Sequence, residues 1–288
     1  FKMHSKNIIL NSLKESTLLV KTNKKTFSLI LILQLLFFLF IGMANAFYQP
    51  IILQHAMNII EYMESLNLNA DAAGIEMLKE KIPLGDDPLL ISRNYNAILK
   101  NVAFLSISIF AIFALLNGLI WHFSSNMGNK NIFSIKNILA YLSRFVIASL
   151  ILSFFFYLLA YNALKVFFSS FLSVEPMNFI PLLIIAVIAI YFVYIAIPIL
   201  DKIKIKNLIK KTLLIGTKRF FAVLASYLII LISIVLLSLL LFYSIEKNLF
   251  LALVSLVLLI LAFAWSKVFI SIVITKSLPK VKSIEDGK

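Results

Sequence analysis

The chain of 288 residues has no cysteine, seven glycines, seven prolines and 13 acidic residues. Without cysteine there is no disulfide, so a small stapled scaffold is excluded. Glycine and proline this sparse exclude a collagen repeat and a Gly/Pro-rich disordered chain. Charged residues make up only 14% of the sequence, against about 25% in ordinary soluble domains. What fills the space is apolar: 61% of residues, with a mean hydropathy of +1.00. A water-soluble globule carries about 45–50%, so that class is excluded too. Against the few acids stand 27 Lys and Arg, for a formal net charge of +14. On a soluble protein such an excess would point to nucleic acid.

A helix crosses a hydrocarbon core roughly 30 Å thick with about 20 mainly apolar residues. Six stretches meet that length: residues 27–47, 101–123, 139–163, 178–200, 220–245 and 249–274. None alternates apolar and polar residues with period two, as a transmembrane barrel strand does. The expected fold is therefore all-α, a polytopic bundle of six transmembrane helices. The basic flank and the small-residue run Met43-Ala44-Asn45-Ala46 of the first stretch resemble a signal peptide. Its apolar core is long for one and starts more than twenty residues into the chain, so it is read as a span.

Lys and Arg accumulate on the cytoplasmic side of membrane proteins. With residues 1–26 inside, 21 basic residues fall in cytoplasmic segments and six outside, whereas nine acids fall outside and four inside. Both termini, including the tail 276–288, are thus expected in the cytoplasm of a cell with a plasma-membrane address. The +14 becomes a topology signal, and nucleic acid drops out as a partner.

The spans pair into three hairpins, and each hairpin is preceded on the cytoplasmic side by a short basic amphipathic segment. Ile9, Leu13, Thr17 and Val20 share one helical face; Ile132, Ile135, Leu139 and Leu142 share another; Ile205, Leu208, Ile209 and Leu213 a third. Such helices are expected to lie in the headgroup plane with their lysines toward anionic lipid. The residues placed there are Lys14, Lys24, Lys25, Lys136, Lys206, Lys210, Lys211, Lys218 and Arg219. Thr17-Leu18-Leu19-Val20-Lys21-Thr22 and Thr212-Leu213-Leu214-Ile215-Gly216-Thr217 each lead through two basic residues to Phe27 and Phe220, which reads as a parallel repeat or as coincidence in a low-complexity alphabet.

Only residues 48–100 form an extramembrane segment long enough to fold. Ile52, Ala56, Ile59, Ile60 and Met63 recur at helical spacing, Asn69 or Asp71 caps a second helix ending near Lys81, and Pro83 and Gly85 break it. Asp87-Pro88 signals a third helix running straight into the second span. The result is a small external helical insert.

Catalytic signatures are missing. His4, His55 and His122 stand far apart with no HExxH; there is no G-x-S-x-G, no phosphate-cradling loop, and no carboxylate within a span. No enzyme and no cofactor is expected. The acids Glu76, Glu80, Asp86 and Asp87 lack the regular spacing of a calcium loop and read as a solvated face. Gln34, Asn45, Ser106, Ser108, Asn117, Ser149, Ser153, Ser226, Ser233 and Ser238 lie within spans and read as helix-to-helix or self-bonded polar groups. Pro181 and Pro198 read as helix punctuation. Lys267, beside Trp265, is expected to snorkel at the inner interface, where Trp121 and Tyr141 form an aromatic belt.

The stretch Tyr194-Ile195-Ala196-Ile197-Pro198-Ile199-Leu200-Asp201, followed by Lys206-Asn207-Leu208-Ile209-Lys210-Lys211-Thr212 and by Lys218-Arg219-Phe220, resembles a group of prokaryotic multi-pass proteins. That group includes the membrane domain attached to some glycerophosphodiester phosphodiesterases and related domains of unknown function. The resemblance implies a fold and a membrane address, with no catalytic residue to transfer. Six spans, an initial amphipathic helix and an external insert also resemble the permease subunits of ABC exporters, in which case Lys130 to Tyr141 would contact an ATPase.

The sequence thus predicts an uncharged-span membrane protein without an assigned activity, organising or acting on lipids or partner membrane proteins, alone or as a homo-oligomer, with an exporter subunit as the alternative. Its orientation is testable. In intact cells a membrane-impermeant thiol reagent is expected to label Asn67→Cys and to leave Leu208→Cys unmodified; the reverse pattern overturns the assignment.

Overall fold

The computed structural model describes residues 2–65, 87, 89–170, 179–203 and 205–278. Among them all regular structure is helical: α1 (Lys2–Thr22), α2 (Lys24–Ser65), α3 (Leu90–Ile112), a π turn (Phe113–Asn117), α4 (Gly118–Ser125), α5 (Ile135–Ser170), α6 (Phe179–Ala196), a 3-10 turn (Ile197–Ile199), α7 (Ile205–Lys218), α8 (Phe220–Ile245) and α9 (Leu249–Ser277). Helices close their backbone hydrogen bonds within themselves, the condition for lying in hydrocarbon. Five helical stretches, Lys24–Ser65, Leu90–Ser125, Ile135–Phe154, Phe220–Ile245 and Leu249–Ser277, are long and apolar enough to cross a membrane, and Leu183–Ile199 is a shorter apolar one.

The chain packs as two units, residues 37–113 and the remainder. In the larger unit the core is the second half of α9. Ala264, Val268, Phe269, Ile270, Val273 and Ile274 are buried, as are Ser266, Ser271 and Ser277, so this stretch is covered on all sides. It touches α1, α4, α8 and the 3-10 turn. Serines let the neighbours come close: Ser12 and Ser16 are fully buried on α1, and Ser125 Oγ lies 3.3 Å from Ser271 Oγ. Small residues at helix contacts are how bundles pack when no water drives association. Gly118 and Gly216 serve the same end, since a Cβ on the first would press on Leu142 and Phe145 and one on the second would collide with the Phe192 ring.

The opposite ends of α8 and α9 wear their apolar residues outward. Leu231, Ile232, Leu236 and Leu239 on α8, and Leu249, Phe250, Leu253 and Val257 on α9, are exposed, whereas Ser244, Ala252 and Ser255 are buried. Three residues link the two helices, with Asn248 capping α9 through its side chain. A bare apolar surface of this extent is stable against lipid and a liability in water.

In the smaller unit, His55 Nδ1 lies 2.7 Å from Asn94 Oδ1, and Asn94 Nδ2 donates to the Leu90 carbonyl at 3.0 Å. The Asp87 carboxylate accepts from the Leu89 amide at 3.2 Å and pairs with Arg93, close to the capping role expected of it. The helix it opens continues to Ser125, as the sequence predicts, but through a π turn that the sequence does not announce. The first span does not end at Phe47: α2 runs on to Ser65 with Pro50 inside it, merging the span with the first expected helix of the insert. The expected helix from Asn69 or Asp71 to Lys81, its break at Pro83 and Gly85, and the acids Glu76, Glu80 and Asp86 lie outside the described residues.

Three finer expectations are corrected. Residues 130–133 are turns, so the middle amphipathic segment is the start of α5 and not a separate helix. On α1 the face buried against α8 and α9 is that of Ser12 and Ser16, so close serine packing seats the helix on the bundle, where an apolar stripe facing lipid had been expected. Trp121 and Tyr141 are buried in protein, not set in a lipid-facing belt.

Lys267 does not snorkel to an interface. Its Nζ donates to Gln34 Oε1 at 2.9 Å and to Asn117 Oδ1 at 2.7 Å, tying α9 to α2 and to the end of the π turn. An ammonium so placed is held by two neutral acceptors in place of water. Gln34→Leu and Asn117→Leu are each expected to lower stability in detergent by about 1–3 kcal/mol, the usual result of orphaning a buried polar partner. A double-mutant cycle with Lys267→Met is expected to show coupling; a snorkelling lysine would leave Gln34→Leu neutral.

Candidate functional site

The long-range polar contacts of the larger unit concentrate at one end of it. Pro198 shapes the 3-10 turn that ends α6, and the turn that follows delivers Asp201 to the C-terminus of α4. There Asp201 Oδ2 accepts from Asn126 Nδ2 at 2.7 Å and lies 3.2 Å from His122 Nδ1. The other ring nitrogen, Nε2, lies 3.1 Å from the Ile132 carbonyl. A carbonyl only accepts, so Nε2 carries a proton, and one more proton, on Nδ1 or on the carboxyl, closes the contact with Asp201. His122 is buried and Asp201 half-buried, so one carboxylate joins the end of α4, the turn after it and the end of α6.

Two further bonds fix α5 against the same turn. The Tyr141 hydroxyl donates to the Ile197 carbonyl at 3.1 Å, and Arg144 Nη1 donates to the Leu200 carbonyl. Next to them opens a polar cavity of 410 Å³. Its wall is rich in amides, from Asn126, Asn129, Asn131 and Asn137, and carries two cations, Arg144 and Lys202. Lys202 Nζ donates to Thr275 Oγ1 on α9 at 2.8 Å. Burial around Lys202 pushes its pKa below the usual lysine value, and the Asp201 charge pulls it part of the way back.

On the other side of Arg144 lies an apolar groove of 270 Å³ between α5, α6 and α7. Ile147, Ala148 and Ile151 of α5, Phe192 and Val193 of α6, and Leu208, Ile209 and Leu213 of α7 form its walls. Arg144 lines both spaces. A guanidinium has five N–H donors in a planar fork suited to phosphate or carboxylate. Among the described residues no carboxylate is paired with it. A third space of 160 Å³ gathers Glu15 and Leu19 of α1, Ser124 and Met127, Lys202, and Thr275 and Lys276 of α9, with Glu15 and Lys276 forming an ion pair.

Of the residues expected at lipid headgroups, Lys14, Lys24, Lys25, Lys136, Lys210 and Lys218 are exposed, and Lys211 and Arg219 are half-buried. The side chain of Lys206 lies outside the described residues. None of the described ones lines the polar cavity. The residues that do include His122, Arg144, Asp201 and Lys202, none of which the sequence alone marks as a site. The available signal was the polar turn set directly after an apolar helix, Pro198-Ile199-Leu200-Asp201, which marks a chain reversal requiring side-chain anchors. Among the described residues no group of three His, Asp or Glu gathers as a metal cage would require.

Asp201→Ala leaves the buried His122 Nδ1 without its partner and Asn126 Nδ2 with the His122 carbonyl alone, and is expected to lower stability by about 1–3 kcal/mol. Asp201→Asn keeps an acceptor and is expected to lose less; thermal unfolding in detergent ranks the two, and equal midpoints for Asp201→Ala and wild type would contradict the role given to this carboxylate. No protein-family model, curated protein or solved structure matches this chain, so its function is argued from the site itself.

Proposed function

We propose that the chain is a six-span protein of the plasma membrane, built as three hairpins with both termini in the cytoplasm, which binds and organises membrane lipids without catalysing a reaction. One observation carries the reading. Segments far apart in sequence, all assigned to the cytoplasm by their charge, meet at the cationic end of the larger unit: α1, the turn after α4, the turn after α6 and the end of α9. That end combines a polar cavity with an apolar groove, the two surfaces that a membrane lipid presents for recognition. Outside it, exposed leucines, isoleucines and phenylalanines meet the acyl region, and Lys14, Lys24, Lys25, Lys136, Lys210 and Lys218 face outward where anionic headgroups would lie.

The exporter reading would give residues 130–141 to an ATPase. In this chain Asn131, Ile132, Asn137 and Ala140 line its own cavity and Tyr141 is buried beneath them, which favours a binding role over a coupling helix.

The test is stabilisation by lipid. Delipidated full-length protein in neutral detergent is expected to unfold at a higher temperature with anionic phospholipid than with phosphatidylcholine at the same concentration. Equal midpoints with both lipids and with none would contradict a lipid role, and co-purification of a nucleotide-binding protein whose ATPase activity the chain stimulates would establish the exporter reading in its place.

A further inference from the structure

We propose that one anionic glycerophospholipid with a hydroxylated headgroup binds across α5, α6 and α7, with its phosphodiester at Arg144, its headgroup in the polar cavity and an acyl chain in the apolar groove. This rests on the lipid-binding reading above and names the lipid and its seat.

The placement of Arg144 comes first. It sits two turns into α5, where the apolar part of the helix begins beside the polar cavity, and among the described residues no carboxylate is paired with it. The Leu200 carbonyl anchors one of its nitrogens, and the side chain lines both the polar cavity and the groove, the latter through its apolar stem. A ligand that uses both spaces must therefore be polar on one side of this cation and apolar on the other, with a negative charge between. A phosphodiester lipid has that order of groups.

The polar side selects the headgroup. Arg144 and Lys202 supply two positive charges, while the carboxylate among them, Asp201, already serves Asn126 and His122. A choline or ethanolamine cation entering here would meet two cations against one carboxylate, whose Oδ2 is taken by Asn126 and His122, and no Phe, Tyr or Trp face among the lining residues. Hydroxyls suit the amides of Asn129, Asn131 and Asn137, which both donate and accept.

The apolar side carries an independent observation. Thr212 of α7 lines the groove and is buried, yet its hydroxyl has no hydrogen-bond partner. Thr17, Thr217 and Thr275 each bond the carbonyl four residues back, which is how an exposed or buried helical threonine is ordinarily satisfied. The hydroxyl itself shows no surface in the groove, and a turn about the Thr212 Cα–Cβ bond would bring it to an ester carbonyl at the glycerol end of an acyl chain, an acceptor of the kind it lacks. Beyond it the groove is flanked by exposed Ile147, Ile151 and Ile209, so the remainder of the chain runs out into the bilayer. Inorganic phosphate would occupy the polar half alone and leave both the groove and Thr212 unused.

Native mass spectrometry of the full chain, released from detergent containing equal amounts of phosphatidylglycerol and phosphatidylcholine, tests this. Wild type is expected to retain one phosphatidylglycerol with a preference of about tenfold, the equivalent of one charge-assisted hydrogen bond. Arg144→Gln is expected to abolish the preference, Thr212→Val to weaken retention, and Ala148→Phe, which fills the groove without changing charge, to release the lipid. Millimolar inorganic phosphate is expected not to displace it. Undiminished preference in Arg144→Gln, or undiminished retention in Ala148→Phe, overturns the site; if Arg144→Gln does not fold, Lys202→Gln carries the charge arm, with a reduced preference expected and an unchanged one contradicting the proposal. Displacement by phosphate as effective as by lipid overturns it in favour of a free-anion site. If the variants match wild type while anionic lipid still stabilises the protein, this seat fails and the broader reading stands; if anionic lipid has no effect at all, both fail.

Discussion

The Asp201 carboxylate is the constraint on which the polar end of the larger unit turns. It follows directly on the apolar run ending in Pro198-Ile199-Leu200, and its bonds to Asn126 and His122 pin that chain reversal to the end of α4. Once the reversal is pinned, the Ile197 and Leu200 carbonyls face α5, where Tyr141 and Arg144 donate to them. Three otherwise separate helix ends are thereby fixed together, and the cavity between them is a consequence. A buried polar node of this kind holds one geometry because any partial arrangement strands a donor or an acceptor. That rigidity also holds the Arg144 fork in place ahead of any ligand.

The rest of the larger unit follows a different economy, in which apolar side chains face outward and small polar ones face inward. Serines on α1, α4, α8 and α9 bring helices close, and several satisfy themselves on the carbonyl four residues back, as Ser226, Ser244 and Ser255 do. Lys267 fits the same logic. Its charge is met by the side-chain oxygens of Gln34 and Asn117, so three helical elements meet at one ammonium.

Much of this was legible in one dimension. Helices α8 and α9 match their expected spans within a few residues because continuous apolar runs bounded by Lys218-Arg219 and by Glu246-Lys247-Asn248 leave no other reading. The basic segment before α8 is helical for the same reason, its apolar residues recurring at helical spacing. Where depth or partnership decided the outcome, the sequence was silent. Lys267 looked interfacial because helix rise places it near a membrane edge, but its acceptors lie some 150 and 233 positions away in the chain. His122 and Asp201 each looked alone, being 79 positions apart. On α1 the periodic stripe is that of Ile9, Leu13 and Val20, yet the fold buries Ser12 and Ser16. The lysines expected at headgroups follow from charge on amphipathic faces, a pattern that Arg144, the cation lining both spaces, does not share.

The central claim is that Arg144 seats a lipid between a polar cavity and an apolar groove. Photo-crosslinking with a phosphatidylglycerol carrying a photoreactive group on its acyl chain addresses it most directly, with adducts mapped by mass spectrometry in the reconstituted full chain. The account predicts adducts concentrated on residues 147–151 of α5 and 192–196 of α6, competed by unlabelled phosphatidylglycerol and lost in Arg144→Gln. Adducts spread evenly over exposed residues of α8 and α9, unchanged by Arg144→Gln, would contradict it.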